Sequence, residues 1–177
     1  LDLGGVFSLD LVRHFKTEGY FPSDLFDARQ SAFPTTGNFD GTEANDVDAQ
    51  LFVRTTQDDP SGSPTYTAFQ PFASGTFKAR GFQFRTVLTS TDPDQDIRVF
   101  ELGYTAKIQA RQEIRTNITQ NAGATAYTFD NVFFTGTAAL LGANSNLPSV
   151  NITAQNLASG DYFVITNLSG TGFTIDF

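Results

Sequence analysis

The sequence predicts an all-β protein of the sandwich or jelly-roll kind. Three observations lead there. Phe is heavily used, with 19 Phe against 5 Tyr and no Trp, and Phe belongs on pleated, half-buried surfaces. Of the 19 acidic residues, 15 are Asp and 4 are Glu; Asp serves turns and strand ends, whereas Glu serves helices. Short alternating segments also recur about every 8–12 residues, separated by Gly, Pro, Asp and Ser.

Taken in order, Leu1 to Phe15 (LDLGGVFSLDLVRHF) reads as two short strands around a bend at Gly4-Gly5. Residues 17–48 carry turn residues throughout and read as long loops, pinned by Tyr20, Phe21, Phe26, Phe33 and Phe39. AQLFVRTT then places Leu51, Val53 and Thr55 on one face of a strand and Gln50, Phe52 and Arg54 on the other. After the turn QDDPSGSP come YTAFQPF, TFKAR and GFQFRTVLT. In the last of these Phe82, Phe84 and Leu88 share a face opposite Gln83, Arg85 and Val87. STDPDQD is a turn leading to IRVFELGYTAKI, where Phe100, Leu102 and Tyr104 alternate with Val99, Glu101 and Gly103.

The weakly patterned stretch QARQEIRT marks a module boundary, giving modules 1–108 and 109–177. The second is near the size at which a lone core becomes marginal. In it AYTFDNVFF reads as a strand. TGTAALLGANSNLP is a loop with one helical turn at Ala138 to Leu141, and SVNITAQN is a strand with Val150 and Ile152 on one face. DYFVITN and GFTIDF form a hairpin around Leu168 to Thr171, with Phe173, Ile175 and Phe177 on one side.

Composition narrows the function. The net charge of -8 lacks the basic footprint of a nucleic-acid binder. No run of about 18 apolar residues is present, so no membrane-inserting helix is expected. The absence of Cys removes disulfides and thiolate metal sites. A cysteine-free β protein fits a bacterial or viral source, or stability gained through oligomers. A start at Leu1 with no Met anywhere reads as a piece of something longer.

Catalytic chemistry finds little to work with. The lone His14 sits in an apolar run and reads as a structural or surface residue. Two-His zinc sites are out of reach, and no cofactor or metal is expected. Asp58-Asp59-Pro60, Asp92-Pro93-Asp94 and Asp40-Gly41 sit where turns want Asp. Asp92, Asp94 and Asp96 open a calcium-loop pattern that fails at Ile97 and Gly103, where Gly and Glu are needed. Gly170-Thr171-Gly172 lies in a hairpin turn and has no helix after it to hold a phosphate. Sequons at Asn117, Asn151 and Asn167 read as polar strand and turn positions. Arg54 and Arg85 read as structural strand arginines, pairing with Asp58, Asp59 or Glu101. The chain is expected not to be an enzyme.

Several stretches together resemble the C-terminal region of phage tail-tip (host-specificity) proteins, with related ones in gene transfer agents. The resemblance to their jelly-roll module rests on Asp2, Leu3 and Gly4, the LFDARQ stretch, Arg54, Thr56, Asp58, Asp59, Pro60 and Pro64. It continues through Arg80, Phe82, Gln83, Phe84, Arg85, Leu88, Glu101 and Leu102, with Tyr66 where that family usually has Trp. The remainder resembles an H-type lectin module at Phe129, Phe133, Pro148, Val150, Ile152, Asn167, Gly172, Phe173 and Ile175. The sugar-contacting His of some such lectins is absent.

The resemblance implies a jelly-roll β-sandwich followed by a small H-type-lectin-like β-sandwich, in a homotrimer within a virion tail. Its partners would be other tail proteins and a host cell-surface glycan or protein receptor. Adhesion is the implied function; passive assembly in the tail, or a carbohydrate-binding module of a secreted bacterial protein, are the alternatives. If a glycan is bound, the expected contacts are Asn156, Asp161, Tyr162 and Asn167 near the last hairpin. Aromatic faces stack on sugar C–H groups, and Asp and Asn meet hydroxyls.

Overall fold

The computed structural model describes residues 1–22, 44–136 and 146–177. The segment LFDARQ, the aromatics Phe26, Phe33 and Phe39, Asp40-Gly41 and the helical turn at Ala138 to Leu141 lie outside the described residues. The protein is an all-β sandwich of two antiparallel sheets, with no α-helix among the described residues. The strands are β1 (Asp2–Tyr20), β2 (Val47–Thr56), β3 (Gln70–Pro71), β4 (Gly75–Ser90), β5 (Asp96–Ile108), β6 (Ala124–Thr128), β7 (Val164–Thr166) and β8 (Gly172–Asp176). The first sheet runs β3-β2-β4-β1-β5, and the second β6-β8-β7.

The opening segment is one strand rather than the two expected. Gly4 takes a left-handed φ of 73°, and the register against β4 slips between Asp2 and Phe7. The Gly therefore makes a bulge inside a continuous strand, where it was expected to end one. The strand then runs to Tyr20, into the stretch expected to be loop. Its inner residues Leu3, Leu9 and Leu11 are buried.

TFKAR and GFQFRTVLT form a single strand as well. Its first half pairs with β1 (Leu9 opposite Phe77) and its second half with β2 (Val53 opposite Phe84). Ala79 is buried in the first half and Phe82 in the second. The inward face thus changes from odd to even residues across Arg80-Gly81, where the strand passes from one layer to the next. Gly81 is needed at this corner, because a Cβ there would lie 2.5 Å from Pro60 Cγ and 2.8 Å from Thr56 Cγ2.

The core gathers where the layers meet. Phe72 packs against Phe77 and Phe84 with ring centroids 6.1 and 5.3 Å away, and Phe77 meets Phe82 edge-on at 6.2 Å. Leu51 and Val53 are buried on β2, as the alternation predicts. β4 and β5 follow each other in the chain, yet β1 lies between them in the sheet. Phe84 of β4 nevertheless stacks on Tyr104 of β5 at 4.5 Å. The sheet therefore folds back over a shared interior.

The connection STDPDQD crosses between these strands instead of closing a hairpin. Buried Gln95 pins it: its amide donates to Asp46 Oδ2 and Asp92 Oδ2, and its Oε1 accepts the Asp46 N–H at 2.9 Å. Asp94 N–H is held by Asp92 Oδ1, and Ile97 N–H by Asp96 Oδ1. These carboxylates are engaged in local turn bonds, and no cluster of three or more potential ligands could hold a metal ion among the described residues.

Among the described residues the ion pairs fall on Arg80, Arg111 and Arg115, and not on the two arginines expected to make them. Arg80 bridges Asp2 at 3.3 Å and Asp59 at 2.6 Å. Among the described residues Arg54 donates to Gln83 Oε1 and to no carboxylate. The Ser61 hydroxyl and N–H, with Arg80 behind them, hold the Asp59 carboxyl below its usual range. His14 is exposed and meets Thr105 Oγ1 at 2.8 Å.

Residues 109–177 hold the second sheet, in which β8 is central and Ile175 is buried. β6 covers only the start of AYTFDNVFF. The rest leaves the ladder, because side chains from QARQEIRT engage its backbone. Arg111 donates to the carbonyls of Asn131 and Val132 and lies over the Phe133 ring, and Arg115 donates to Thr128 O and Asp130. Val150 and Ile152 are half-buried between exposed neighbours, but SVNITAQN joins no ladder. The β7–β8 hairpin forms as expected, with Ile165 opposite Ile175. Phe134 packs edge-on against Phe7 at 5.1 Å and so touches the core of the first sheet.

Candidate functional site

The second sheet carries an open groove of about 420 Å³ lined by Gln120, Asn121, Ala122, Gly160, Asp161, Tyr162 and Phe177. Three separate segments meet there: the turn before β6, the turn before β7, and the end of β8. The β-ladder brings them together. Gly123 N–H donates to Phe177 O, and Ala124 lies opposite Asp176, so the turn 120–123 sits beside the end of β8. Val164 lies opposite Asp176 on the other side, which delivers Tyr162 and Asp161 to the same place.

Each lining residue has a local reason for its position. Gln120 is anchored by four contacts: its amide donates to Asn121 O, Gly123 O and Thr125 Oγ1, and its Oε1 accepts the Tyr127 hydroxyl at 2.6 Å. Asp161 closes its own turn, since its Oδ2 accepts the Ala158 N–H at 2.7 Å and its N–H donates to Ala158 O. Gly160 takes a left-handed φ of 99° in that turn. Phe177 packs on Phe163 with centroids 5.6 Å apart. Tyr162 is left 75% exposed, the most exposed large hydrophobic side chain among the described residues.

Of the four residues expected to touch a ligand, the groove brings together Asp161 and Tyr162. Asn156 and Asn167 do not line it. Both take left-handed φ values, 62° and 52°, which Asn tolerates better than most residues. Asn167 also donates to Thr174 Oγ1 across the hairpin. Their place in the structure follows from turn geometry. Gln120, Asn121 and Phe177 were not singled out from sequence. The first two lie some 40 residues from Tyr162 in the chain, and only the pairing of β6, β8 and β7 brings them near it.

The groove is open, aromatic on one wall and amide-rich on another. That combination suits a ligand with apolar C–H faces and many hydroxyls. No protein-family model matches the chain, and neither a curated protein nor a solved structure matches it.

Proposed function

We propose that this chain is a non-enzymatic adhesion element of a phage tail tip or tail fibre that recognises a glycan on the host surface. In this reading residues 1–108 are a jelly-roll module and 109–177 an H-type-lectin-like module, assembled as a homotrimer alongside other tail proteins in the virion tail. The observation that carries the reading is the groove at Tyr162. An exposed aromatic ring stands beside Asn121 and Asp161 at one end of a small sheet. Such a ring stacks on sugar C–H groups while the polar side chains meet hydroxyls. The sequence resemblance to host-specificity proteins supplies the biological setting.

A single shallow glycan site binds weakly, so adhesion would draw on avidity from several copies. The second reading is a passive assembly module of the tail. It is favoured by the exposed apolar side chains on edge strand β5, where Phe100 and Leu102 face solvent. Adsorption of the purified chain to host cells separates the two, with its mass measured by light scattering. Saturable binding by a trimer, in competition with infection, is the expected result. A trimer that adsorbs to no host cell and leaves infection unchanged supports assembly instead.

A further inference from the structure

The outer face of β2 and β4 carries alternating rings and guanidinium groups. Across it stand Tyr66, Arg54, Phe69, Arg85 and Phe52. Arg54 Cζ lies 4.5 Å from the Tyr66 ring centroid and 4.6 Å from that of Phe69. Arg85 Cζ lies 4.3 Å from Phe69 and 5.3 Å from Phe52. The register explains the grouping. Phe52 is opposite Arg85, and Arg54 is opposite Gln83. All four therefore share the face away from Leu51, Val53, Phe82 and Phe84.

The rings hold the guanidinium groups and leave N–H edges available. Arg54 donates from Nε and Nη2 to Gln83 Oε1 at 2.9 and 2.6 Å. A guanidinium can only donate, so Gln83 must turn its oxygen to Arg54 and keep its NH₂ group free for another partner. Among the described residues Arg85 donates to no acceptor, and neither arginine pairs with a carboxylate. Gln83 and Arg85 are exposed and sit two residues apart on one strand face, about 7 Å. The free polar groups of Arg54, Gln83 and Arg85 are all donors, in a chain of net charge -8.

We infer that this patch binds a carboxylate-bearing sugar, a uronic-acid-type residue set within a largely neutral glycan. The planar fork of Arg85 matches a carboxylate through two parallel N–H bonds. The Gln83 amide and the remaining Arg54 N–H groups take the neighbouring oxygens. The acidic surface of the whole chain repels long polyanions, which selects an isolated acidic sugar over a nucleic acid or a uniformly charged polymer. The patch lies on the first sheet and the Tyr162 groove on the second, so either can fail without the other.

The test is a titration of the isotopically labelled chain with sodium glucuronate, with methyl glucoside as the neutral control. The signals followed are Arg85 Nε–H and the Gln83 amide. Saturable shifts with glucuronate alone are expected, and they should persist in Tyr162→Ala. Arg85→Lys keeps the charge but loses the fork; affinity should fall about tenfold, the size of one charge-assisted hydrogen bond. Gln83→Glu keeps the shape and adds a repelling carboxylate, so it should weaken binding at least as much. It carries the test alone if Arg85→Lys does not fold. The inference is overturned by an equal response to methyl glucoside, by shifts that do not saturate, or by unchanged affinity in a folded variant.

Discussion

The folded-over core makes a sharp demand on two phenylalanines of equal size. Phe72 is 2% exposed and packs on Phe77 and Phe84, whereas Phe100 is 56% exposed on the edge strand. Phe72→Ala removes a full ring from a site walled by β2 and β4, where the Phe72 N–H is also tied to Leu51 O at 2.8 Å. The anchored backbone limits collapse, so a cavity remains. The cost should be about 3–5 kcal/mol, as for other buried Phe→Ala changes. Phe100→Ala should cost less than about 0.5 kcal/mol. Domains hold about 5–15 kcal/mol in total, so the first change consumes a large share and the second almost none. Urea unfolding followed by far-ultraviolet circular dichroism reads both, with the midpoint of the large-sheet transition as the measure. Equal losses, or less than about 1 kcal/mol for Phe72→Ala, would refute the packing derived for the interior.

Three further changes probe the joints. Gly81→Ala should destabilise by about 1–3 kcal/mol, because the new methyl must displace the Pro60 ring or Thr56 at the layer crossing; a neutral melt would remove the corner constraint. Gln95→Leu should cost about 1–3 kcal/mol by leaving the Asp46 N–H and two carboxylates without their amide partner; thermal unfolding measures it. Asp59 has a lowered folded pKa, so its contribution is present above the unfolded value near 3.8 and is lost as pH falls through the folded value. The stability gap between the wild type and Asp59→Asn should therefore be constant near neutral pH and close only below about pH 4; a gap that widens on acidification would contradict the sign.

The alternation of AQLFVRTT was legible because β2 stays in one layer, so its period of two maps directly onto Leu51 and Val53 inside. β4 defeats the same rule. Period-two patterning holds within a layer, and the strand changes layers at Arg80-Gly81, so one strand reads as two. On β5 the alternation of Phe100, Leu102 and Tyr104 is real, but alternation does not say which face another layer will cover. AYTFDNVFF looks like a strand by composition, but only its start pairs in β6; beyond Thr128 the side chain of Arg111 takes the Asn131 and Val132 carbonyls and Arg115 holds the Asp130 carboxylate. The groove shows the same limit. Asp161 and Tyr162 stood out as polar and aromatic neighbours beside a hairpin, while Gln120, Asn121 and Phe177 join them only through strand pairing. Asn156 and Asn167 stood out for side-chain chemistry, and the structure sets both in left-handed backbone outside the groove.

The most direct test of adhesion through the groove is a glycan array probed with the wild-type chain and with Tyr162→Ala, both shown to be folded. The account predicts that the wild type binds a restricted set of host-type glycans. It predicts that Tyr162→Ala loses at least about tenfold in affinity for them, the scale of one lost aromatic stacking contact. Binding that is unchanged in Tyr162→Ala would contradict it.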